Sequence, residues 1–215
     1  MRLALQEQMK EIEDMLLKMG AEVEEMLSLA ITSLLDRDVE TAKKVIKMDE
    51  LVDTLEIDIE NKTLILIATQ NPLASDLRKI SSIGKIITDL ERIGDHCVNI
   101  AKVTCEIGGD EFVKPLKDIP QMASIVKTMI RKSLDSYIEE DVELAKQTAI
   151  KDDEVDFLYE RVYTDLLNII ASNGTVMSQV IHLLLVGRYL ERIADHSTNI
   201  CERVIYMVSG ERILF

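Results

Sequence analysis

Residues that interrupt helices are scarce in this sequence. Only three of its 215 residues are proline and eight are glycine. Tryptophan is absent, and with five tyrosines and three phenylalanines the core must be mainly aliphatic. Leucine, methionine, glutamate and lysine, which favour helices, are abundant. The composition therefore predicts an all-α protein.

Cysteine is scarce too, and its spacing excludes two kinds of site. The three cysteines are Cys97, Cys105 and Cys201, and no C-x-x-C pair occurs. This pattern predicts neither a disulfide framework nor a thiolate metal site, and free thiols are typical of a reducing cytosol. The N-terminus lacks the apolar core of a signal peptide, and no apolar run approaches the roughly 18 residues of a membrane span. We therefore expect a cytoplasmic protein that does not span a membrane.

Positive charge is in short supply as well. Lysine and arginine total 25 against 39 aspartates and glutamates, for a formal net charge of −14 at pH 7. Phosphate backbones are bound by clustered basic side chains, so we expect no nucleic-acid partner. Excess carboxylates are instead compatible with hard cations. The sequence also lacks the glycine-rich phosphate loops and the nucleophile elbow of common enzymes, which predicts a protein without enzymatic activity.

An eleven-residue motif is present twice, 100 residues apart. The first copy, LERIGDHCVNI, occupies residues 90–100, and the second, LERIADHSTNI, occupies residues 190–200. Eight of the eleven positions are identical. Both copies lie in long segments with a helical apolar period, so both are predicted to be helical. Residues four apart on a helix share a face, and each copy therefore predicts a stripe of oxygen-bearing side chains.

The rest of the chain repeats along with the motif. The first half predicts three helices, over residues 3–35, 39–69 and 75–107. The segment that begins Asp141-Val142-Glu143 matches the segment that begins Asp38-Val39-Glu40, at an offset of 103 residues. We interpret this as a tandem duplication of a three-helix bundle, with six long antiparallel helices in all. The predicted units are residues 1–109 and 116–215, joined by a linker at 110–115, and they could lie side by side or end to end.

Carboxylates recur in pairs on both predicted units. The second helix of each unit carries Asp-x-x-x-Asp, and the third carries Glu-x-x-x-Asp followed by an asparagine four residues later. Adjacent helices lie about 8–10 Å apart, close enough for the two pairs to share ions. Oxygen donors of this kind suit Mg²⁺, Ca²⁺, Mn²⁺ or iron rather than a closed thiolate zinc site. The candidate ligands are Asp49, Asp53, Glu91, Asp95, Asn99, Asp152, Asp156, Glu191, Asp195 and Asn199.

Carboxylate pairs of this spacing are common on helices, and most are solvated. Like charges four residues apart also destabilise an isolated helix by roughly 0.2–0.5 kcal/mol. An ion-pair network with the repeated Arg92 and Arg192 is one way to offset this repulsion, and bound metal is the other. The pairs are kept in both units although nearby positions differ, as where Tyr159 replaces Glu56. We therefore favour metal ligands.

Two histidines, His96 and His196, directly follow the motif aspartates. Each lies five residues after its glutamate, about 140° around the helix, so the two side chains do not point at one ion. This differs from the Glu-x-x-His pair of di-iron bundles. We expect an outer-sphere or surface position for both histidines. His182 lies in an apolar run, where we expect a hydrogen-bonded core histidine.

The duplicated three-helix plan and the paired Leu-Glu-Arg-Ile-Gly/Ala-Asp-His motifs resemble the PhoU family, regulators associated with bacterial phosphate-specific transport. The resemblance covers nearly the whole chain. It implies two three-helix bundles in tandem, with multinuclear metal sites of iron or zinc type on the candidate ligands given above. It also implies two partners, the phosphate ABC transporter and a membrane sensor histidine kinase, through which the phosphate-starvation response is repressed.

Several functions are compatible with the acidic motifs. The favoured one is a metal-binding regulatory adaptor, and a homodimer is one expected assembly. A bound cation with open positions would also attract phosphate or a phosphorylated partner to this acidic chain. A carboxylate-bridged metalloenzyme or an iron-storage bundle is the main alternative, and a helical scaffold without metal is the third.

Overall fold

The computed structural model describes the chain from Arg2 to Phe215. Its regular structure over these residues is entirely helical, which confirms the all-α prediction. Within the same range, no helix has an apolar stretch suited to crossing a membrane. The helices are α1 (Arg2–Asp36), α2 (Val39–Gln70), α3 (Ala74–Ile107), α4 (Asp118–Glu139), α5 (Val142–Ala149), α6 (Asp152–Ser172) and α7 (Met177–Ser209), with a 3₁₀ turn at Gly174–Val176.

The connection between the first and second helices has the same structure in both units. Arg37 and Glu140 lie 103 residues apart, and both have positive φ, at 57° and 53°. The aspartates that follow, Asp38 and Asp141, each accept hydrogen bonds on Oδ1 from two backbone amides of the next helix, at 2.9–3.2 Å. Such a cap satisfies amides that have no partner inside the helix and places a negative charge at the positive end of its dipole. The helix start predicted at Asp38 is confirmed.

Helix α2 ends at Asn71-Pro72, where the sequence predicts it. Asn71 adopts the left-handed conformation, with φ at 46°, and the residue before a proline avoids the helical region. Helix α3 then begins at Ala74, one residue before its predicted start. The Leu73 amide donates to the Asp76 carboxylate at 3.1 Å, which satisfies one free amide at this helix start.

The second helix of the second unit, the fifth of the six predicted, is interrupted. It is divided into α5 and α6 by a turn at Ile150 and Lys151, whereas its counterpart α2 is continuous. The Lys151 amide donates to the Thr148 carbonyl at 3.0 Å, three residues back, as in a 3₁₀ turn rather than an α-helix. The sequence does not predict this break because neither proline nor glycine marks it.

The two units pack side by side. Helices α1 to α3 form one bundle and α4 to α7 the other, and α3 lies along α7 in the most extensive helix–helix interface of the described chain. Helix α1 also packs on α4. The buried apolar residues of both units form one continuous core. Because α3 and α7 each carry a motif, this packing brings both motifs to the interface between the units.

The predicted linker, residues 110–115, lies between α3 and α4 and is fastened to α7. The Val113 amide donates to Gln179 Oε1 at 2.6 Å, and Gln179 Nε2 donates to the Glu111 carbonyl at 2.9 Å. One glutamine at the start of α7 therefore satisfies two backbone groups of a segment without regular structure.

Candidate metal sites

The repeated motif has the same environment in α3 and in α7. Across residues 90–100 and 190–200, the order of buried, half-buried and exposed positions is identical. The leucine and isoleucine positions are buried in both copies. The glutamate and the aspartate of each copy are half-buried, and the arginine between them is exposed. The duplication is thus kept in the tertiary structure as well as in the sequence.

In the first unit, Asp49 of α2 faces the motif of α3. A Cβ built on Gly94 would lie 3.5 Å from Asp49 Oδ1 and 3.4 Å from Val52 Cγ1, so a small residue allows the two helices to approach closely here. Partial burial raises the pKa of Asp49, and the nearby carboxylates of Asp53 and Asp95 raise it further. Carboxylates of the two neighbouring helices therefore lie close enough for their charges to interact.

Glu91 belongs to the same group. Partial burial raises its pKa, and Asp95, Glu56 and Asp53 act in the same direction. Arg92 opposes them, with Nε 3.3 Å from Glu91 Oε2 and one terminal nitrogen 3.2 Å from Asp95 Oδ2. We call the four candidate carboxylates of the first unit cluster 1: Asp49, Asp53, Glu91 and Asp95.

Cluster 2 is the counterpart in the second unit and consists of Asp152, Asp156, Glu191 and Asp195. Burial raises the pKa of Asp152 to about 7, and the charges of Asp156, Asp195 and Glu191 contribute to the rise. The pKa values of Asp156 and Glu191 are raised as well, first by burial and then by Asp195. Asp152 Oδ1 and Glu191 Oε2 are buried without a hydrogen-bond partner among the described residues. A nearby cation would stabilise the ionised form of all these groups.

Two side chains distinguish the surroundings of cluster 2 from those of cluster 1. Arg188 forms an ion pair with Glu191, whereas the first unit has Thr88 at this position. Tyr159 occupies the position of Glu56. The two clusters are therefore not equivalent in charge. Arg188 was not predicted as part of the site, although its spacing of three residues from Glu191 is a signal for an ion pair on a helix.

The two candidate asparagines, Asn99 and Asn199, are half-buried. Asn199 donates from Nδ2 to Asp89 Oδ1 at 3.2 Å, across the interface between α3 and α7. Its amide nitrogen is thus engaged with the other unit. The sequence analysis also missed Asp89, because its partner lies 110 residues away and no local pattern indicates the contact.

The two motif histidines meet at the interface between the units. The ring centroids of His96 and His196 lie 5.7 Å apart, and His96 also stacks on Tyr189 at 5.7 Å. His196 Nδ1 lies 2.9 Å from Asp89 Oδ1, while His96 Nδ1 is buried with no hydrogen-bond partner in the described part of the chain. Burial, followed by the charge of His196, lowers the pKa of His96 to about 4. Both rings therefore lie between the units rather than on the surface.

The third histidine, His182, lies nearer the start of α7. Its Nε2 is 2.9 Å from Glu106 Oε2, and the ring is half-buried. The histidine has a polar partner, as expected, but it lies at the edge of the core and not within it.

The donor set of the two clusters suits a hard cation, because every candidate ligand presents a carboxylate or amide oxygen. The unpartnered buried oxygens of cluster 2 fit such an ion as well. Burial raises the pKa of the Cys97 and Cys201 thiols, which disfavours thiolate ligands. Over residues 2–215, however, no three His, Cys, Asp or Glu side chains stand close enough to form a ready-made metal site.

The fold and the clusters define a class of protein: an all-α chain of two three-helix units, each with a carboxylate cluster on its second and third helices. The model of the PhoU domain matches residues 16–104 and 119–204, one match in each unit. The chain belongs to the PhoU family.

Individual relatives are similar over nearly their full length. The phosphate-specific transport system accessory protein PhoU homolog of Clostridium acetobutylicum is 40% identical over 206 residues, which cover 95% of this chain and 94% of the relative. The protein of the same name from Aquifex aeolicus is 38% identical over 204 residues, or 95% and 92% of the two chains.

Solved structures of the family show the same architecture. The crystal structure of PhoU from Pseudomonas aeruginosa matches with a TM-score of 0.93 and 32% identity, over 96% of this chain and 99% of that one. The phosphate transport system regulatory protein PhoU from Streptococcus pneumoniae matches with a TM-score of 0.92 and 28% identity, over 98% and 100% of the two chains. The fold that the resemblance implied is confirmed.

Proposed function

We propose that this protein is an accessory regulator of phosphate transport that acts by binding other proteins and has no enzymatic activity of its own. The observation that carries the proposal is its similarity, over nearly the full length, to proteins named as accessory to phosphate-specific transport. The proposed partners are the phosphate ABC transporter and a membrane sensor histidine kinase, and the protein reports phosphate sufficiency from the first to the second.

A cell-based experiment tests this role. Deletion of the gene in the native host is expected to activate a phosphate-starvation reporter in phosphate-replete medium, and the restored gene is expected to silence it again. A reporter that stays silent after deletion would contradict the regulatory role. Co-purification of the tagged protein with the transporter or the kinase identifies the partner.

Clusters 1 and 2 are proposed as the metal sites of this regulator. Their oxygen donors, their raised pKa values and the unpartnered oxygens of cluster 2 support the assignment. In the first unit Asn99 completes the set, and in the second Asn199 does so through its carbonyl oxygen. Bound ions, of iron or zinc type and multinuclear, would neutralise the repulsion between carboxylates and offer open positions to an oxyanion such as phosphate.

Elemental analysis of protein purified from its native host without chelator tests the metal assignment. The variant Asp49→Asn/Asp95→Asn is expected to lose the metal of the first unit only, and Asp152→Asn/Asp195→Asn that of the second. The matched control, Asp58→Asn/Asp110→Asn, removes two aspartates outside the clusters and is expected to keep both. A wild-type protein without stoichiometric metal would contradict the metal assignment. It would not contradict the regulatory role, which the reporter experiment tests separately. Calorimetry of the metal-loaded protein with millimolar phosphate then tests whether the oxyanion binds.

A further inference from the structure

A pocket in the second unit lies outside both carboxylate clusters. It has a volume of about 310 Å³ and opens to solvent between α4, α5 and the first turn of α6. The buried side chains of Met129 and Thr148 and the half-buried Ile125 line its inner part. Pockets that hold small ligands begin at about this volume.

The pocket occurs where the fifth helix is interrupted. Lys151 lies in the break and lines one side, and Lys132 of α4 lines it as well. Both lysines are exposed. In the first unit, α2 passes the corresponding place without a break. Among the described helix pairs, the interruption is therefore a feature of the second unit alone.

The first unit shows what the same place looks like with other side chains. At the offset of 103 residues, Lys132 and Lys151 correspond to Leu29 and Met48, which are half-buried and pack against the core. The first unit thus has two apolar side chains packed on its core at positions where the second unit has two lysines beside a pocket. Two hydroxyl residues follow the same pattern, with Ser124 and Thr148 in place of Ala21 and Val45, while Thr128 stands in place of Glu25.

The polar groups at the pocket indicate the charge of its ligand. Lys151 is paired with Glu154, whereas Lys132 has no ion pair within residues 2–215. The Thr128 and Thr148 hydroxyls donate to carbonyls of their own helices, at 2.9 and 2.8 Å, so the Ser124 hydroxyl is the one left to donate to a ligand. On a chain of net charge −14, a free ammonium group in a concave site favours an anion and can form a charge-assisted hydrogen bond with it.

We propose that this pocket binds a small organic anion, a carboxylate or a phosphate monoester. Its charged group is held by Lys132 and the Ser124 hydroxyl, beside the ion pair of Lys151 with Glu154, and its apolar body lies on Met129 and Ile125. The apolar inner part and the volume fit an organic body in addition to the charged group. The site does not depend on the metal clusters, although Lys151 lies directly before Asp152 in the chain.

Three probes with the same aromatic ring separate the chemistry of the ligand: phenyl phosphate, benzoate and the neutral benzyl alcohol. Each is titrated into full-length protein labelled with ¹³C at the methionine and isoleucine methyl groups. Saturable shifts of the Met129 and Ile125 methyl signals are expected with phenyl phosphate or benzoate, and the stronger of the two identifies the anion. Benzyl alcohol is expected to cause no saturable shift.

Variants locate the binding. Lys132→Leu/Lys151→Met places the side chains of the first unit in the pocket and is expected to weaken binding by at least about tenfold, as for the loss of a hydrogen bond to a charged group. Lys127→Leu removes the same charge from α4 outside the pocket and is expected to leave binding unchanged. Lys132→Gln, which stays polar, provides a second variant should the double one fold poorly. Absence of a saturable shift with either anion, an equal shift with benzyl alcohol, or full binding by both pocket variants would overturn the proposal.

Discussion

Gly94 on α3 and Gly187 on α7 show how the neighbouring side chains decide whether a helical glycine can be replaced by a larger residue. A Cβ at Gly94 would meet its neighbours at 3.4 Å and beyond, which is an ordinary contact distance. A Cβ at Gly187 would lie 3.0 and 3.2 Å from ring atoms of Tyr159, closer than most Cβ contacts in proteins. Both glycines are helical, and the difference between them comes from the Tyr159 ring, which belongs to another helix, α6.

This difference predicts opposite effects of alanine. Gly94→Ala is expected to stabilise the protein by roughly 0.5–1 kcal/mol, because alanine has the higher helix propensity and the second motif already carries Ala194. Gly187→Ala is expected to destabilise it by roughly 1–3 kcal/mol, since the Tyr159 ring must move. Urea unfolding of the two variants measures both effects. Destabilisation by the first change, or none by the second, would contradict the packing described here.

Asp152 predicts a dependence of stability on pH in metal-free protein. Its pKa is about 7 in the folded chain against an ordinary 3.8, so between these values the folded state binds the proton that the unfolded state has released. The contribution of this carboxyl to stability is therefore full below pH 3.8 and is lost progressively as the pH rises from there through about 7. Asp152→Asn is expected to raise the Tm above wild type at pH 8 by several degrees, with about 2–4 °C for each kcal/mol in a chain of this size.

Thermal melts of chelator-treated protein at pH 5 and pH 8 make this measurement. The advantage of the variant is expected to be smaller at pH 5, because that pH lies within the window from 3.8 to about 7 and only part of the contribution of the wild-type carboxyl has been lost there. With metal added, the order at pH 8 is expected to reverse if Asp152 is a ligand, because only the wild type gains the ion. Asp58→Asn serves as the control and is expected to show no such change with pH. Equal Tm values for Asp152→Asn and wild type at both pH values would refute the burial of this charge.

At the scale of the helices, the caps are the features that local sequence specifies most directly. Asp38 and Asp141 begin α2 and α5 with the same pair of amide contacts. Asp38 also accepts a hydrogen bond from the Thr41 hydroxyl at 2.6 Å. The residues that make these contacts lie within three positions of the aspartate, and this is why the sequence predicts such a cap.

Removal of either cap is expected to weaken the fold. Asp38→Ala and Asp141→Ala are each expected to lose about 1 kcal/mol of stability, within a range of roughly 0.5–2, and the loss should be larger for Asp38 because of Thr41. Asparagine at the same positions is the matched control and should retain most of the stability. Chemical denaturation measures the series. An alanine variant as stable as its asparagine counterpart would show that the cap contributes little.

The interface between α3 and α7 belongs to the scale of the whole molecule. Asp89 of the first unit accepts contacts from both His196 and Asn199 of the second, and its side chain is 14% exposed. A half-buried acceptor that bonds across the interface in this way stabilises the packing of one unit on the other. The continuous core predicts that the two units unfold together rather than one by one.

Loss of Asp89 tests this coupling. Asp89→Ala is expected to destabilise the protein by roughly 1–3 kcal/mol, because the polar groups of two half-buried partners, His196 and Asn199, lose their acceptor. Asp89→Asn keeps an acceptor oxygen and is expected to lose less. Urea unfolding, followed by both circular dichroism and a label in each unit, is expected to show one transition in wild type and in both variants. Separate transitions for the two units would mean that the interface does not couple them.

The sequence by itself determined the helical class, the duplication, the helix caps and the carboxylate stripes. All of these depend on residues within one or two helical turns, or on the comparison of one half of the chain with the other. The pairing of Asp49 with the motif on α3 was also predictable, because a short connection makes consecutive helices neighbours.

Only the tertiary structure decided how the two units meet. The contact of His96 with His196, the role of Asp89 and the engagement of Asn199 across the interface depend on the relative position of α3 and α7. The break before α6 and the pocket beside it also required the structure. Helical spacing determines the direction of a side chain around its own axis, but the packing of the whole core determines which neighbour stands there.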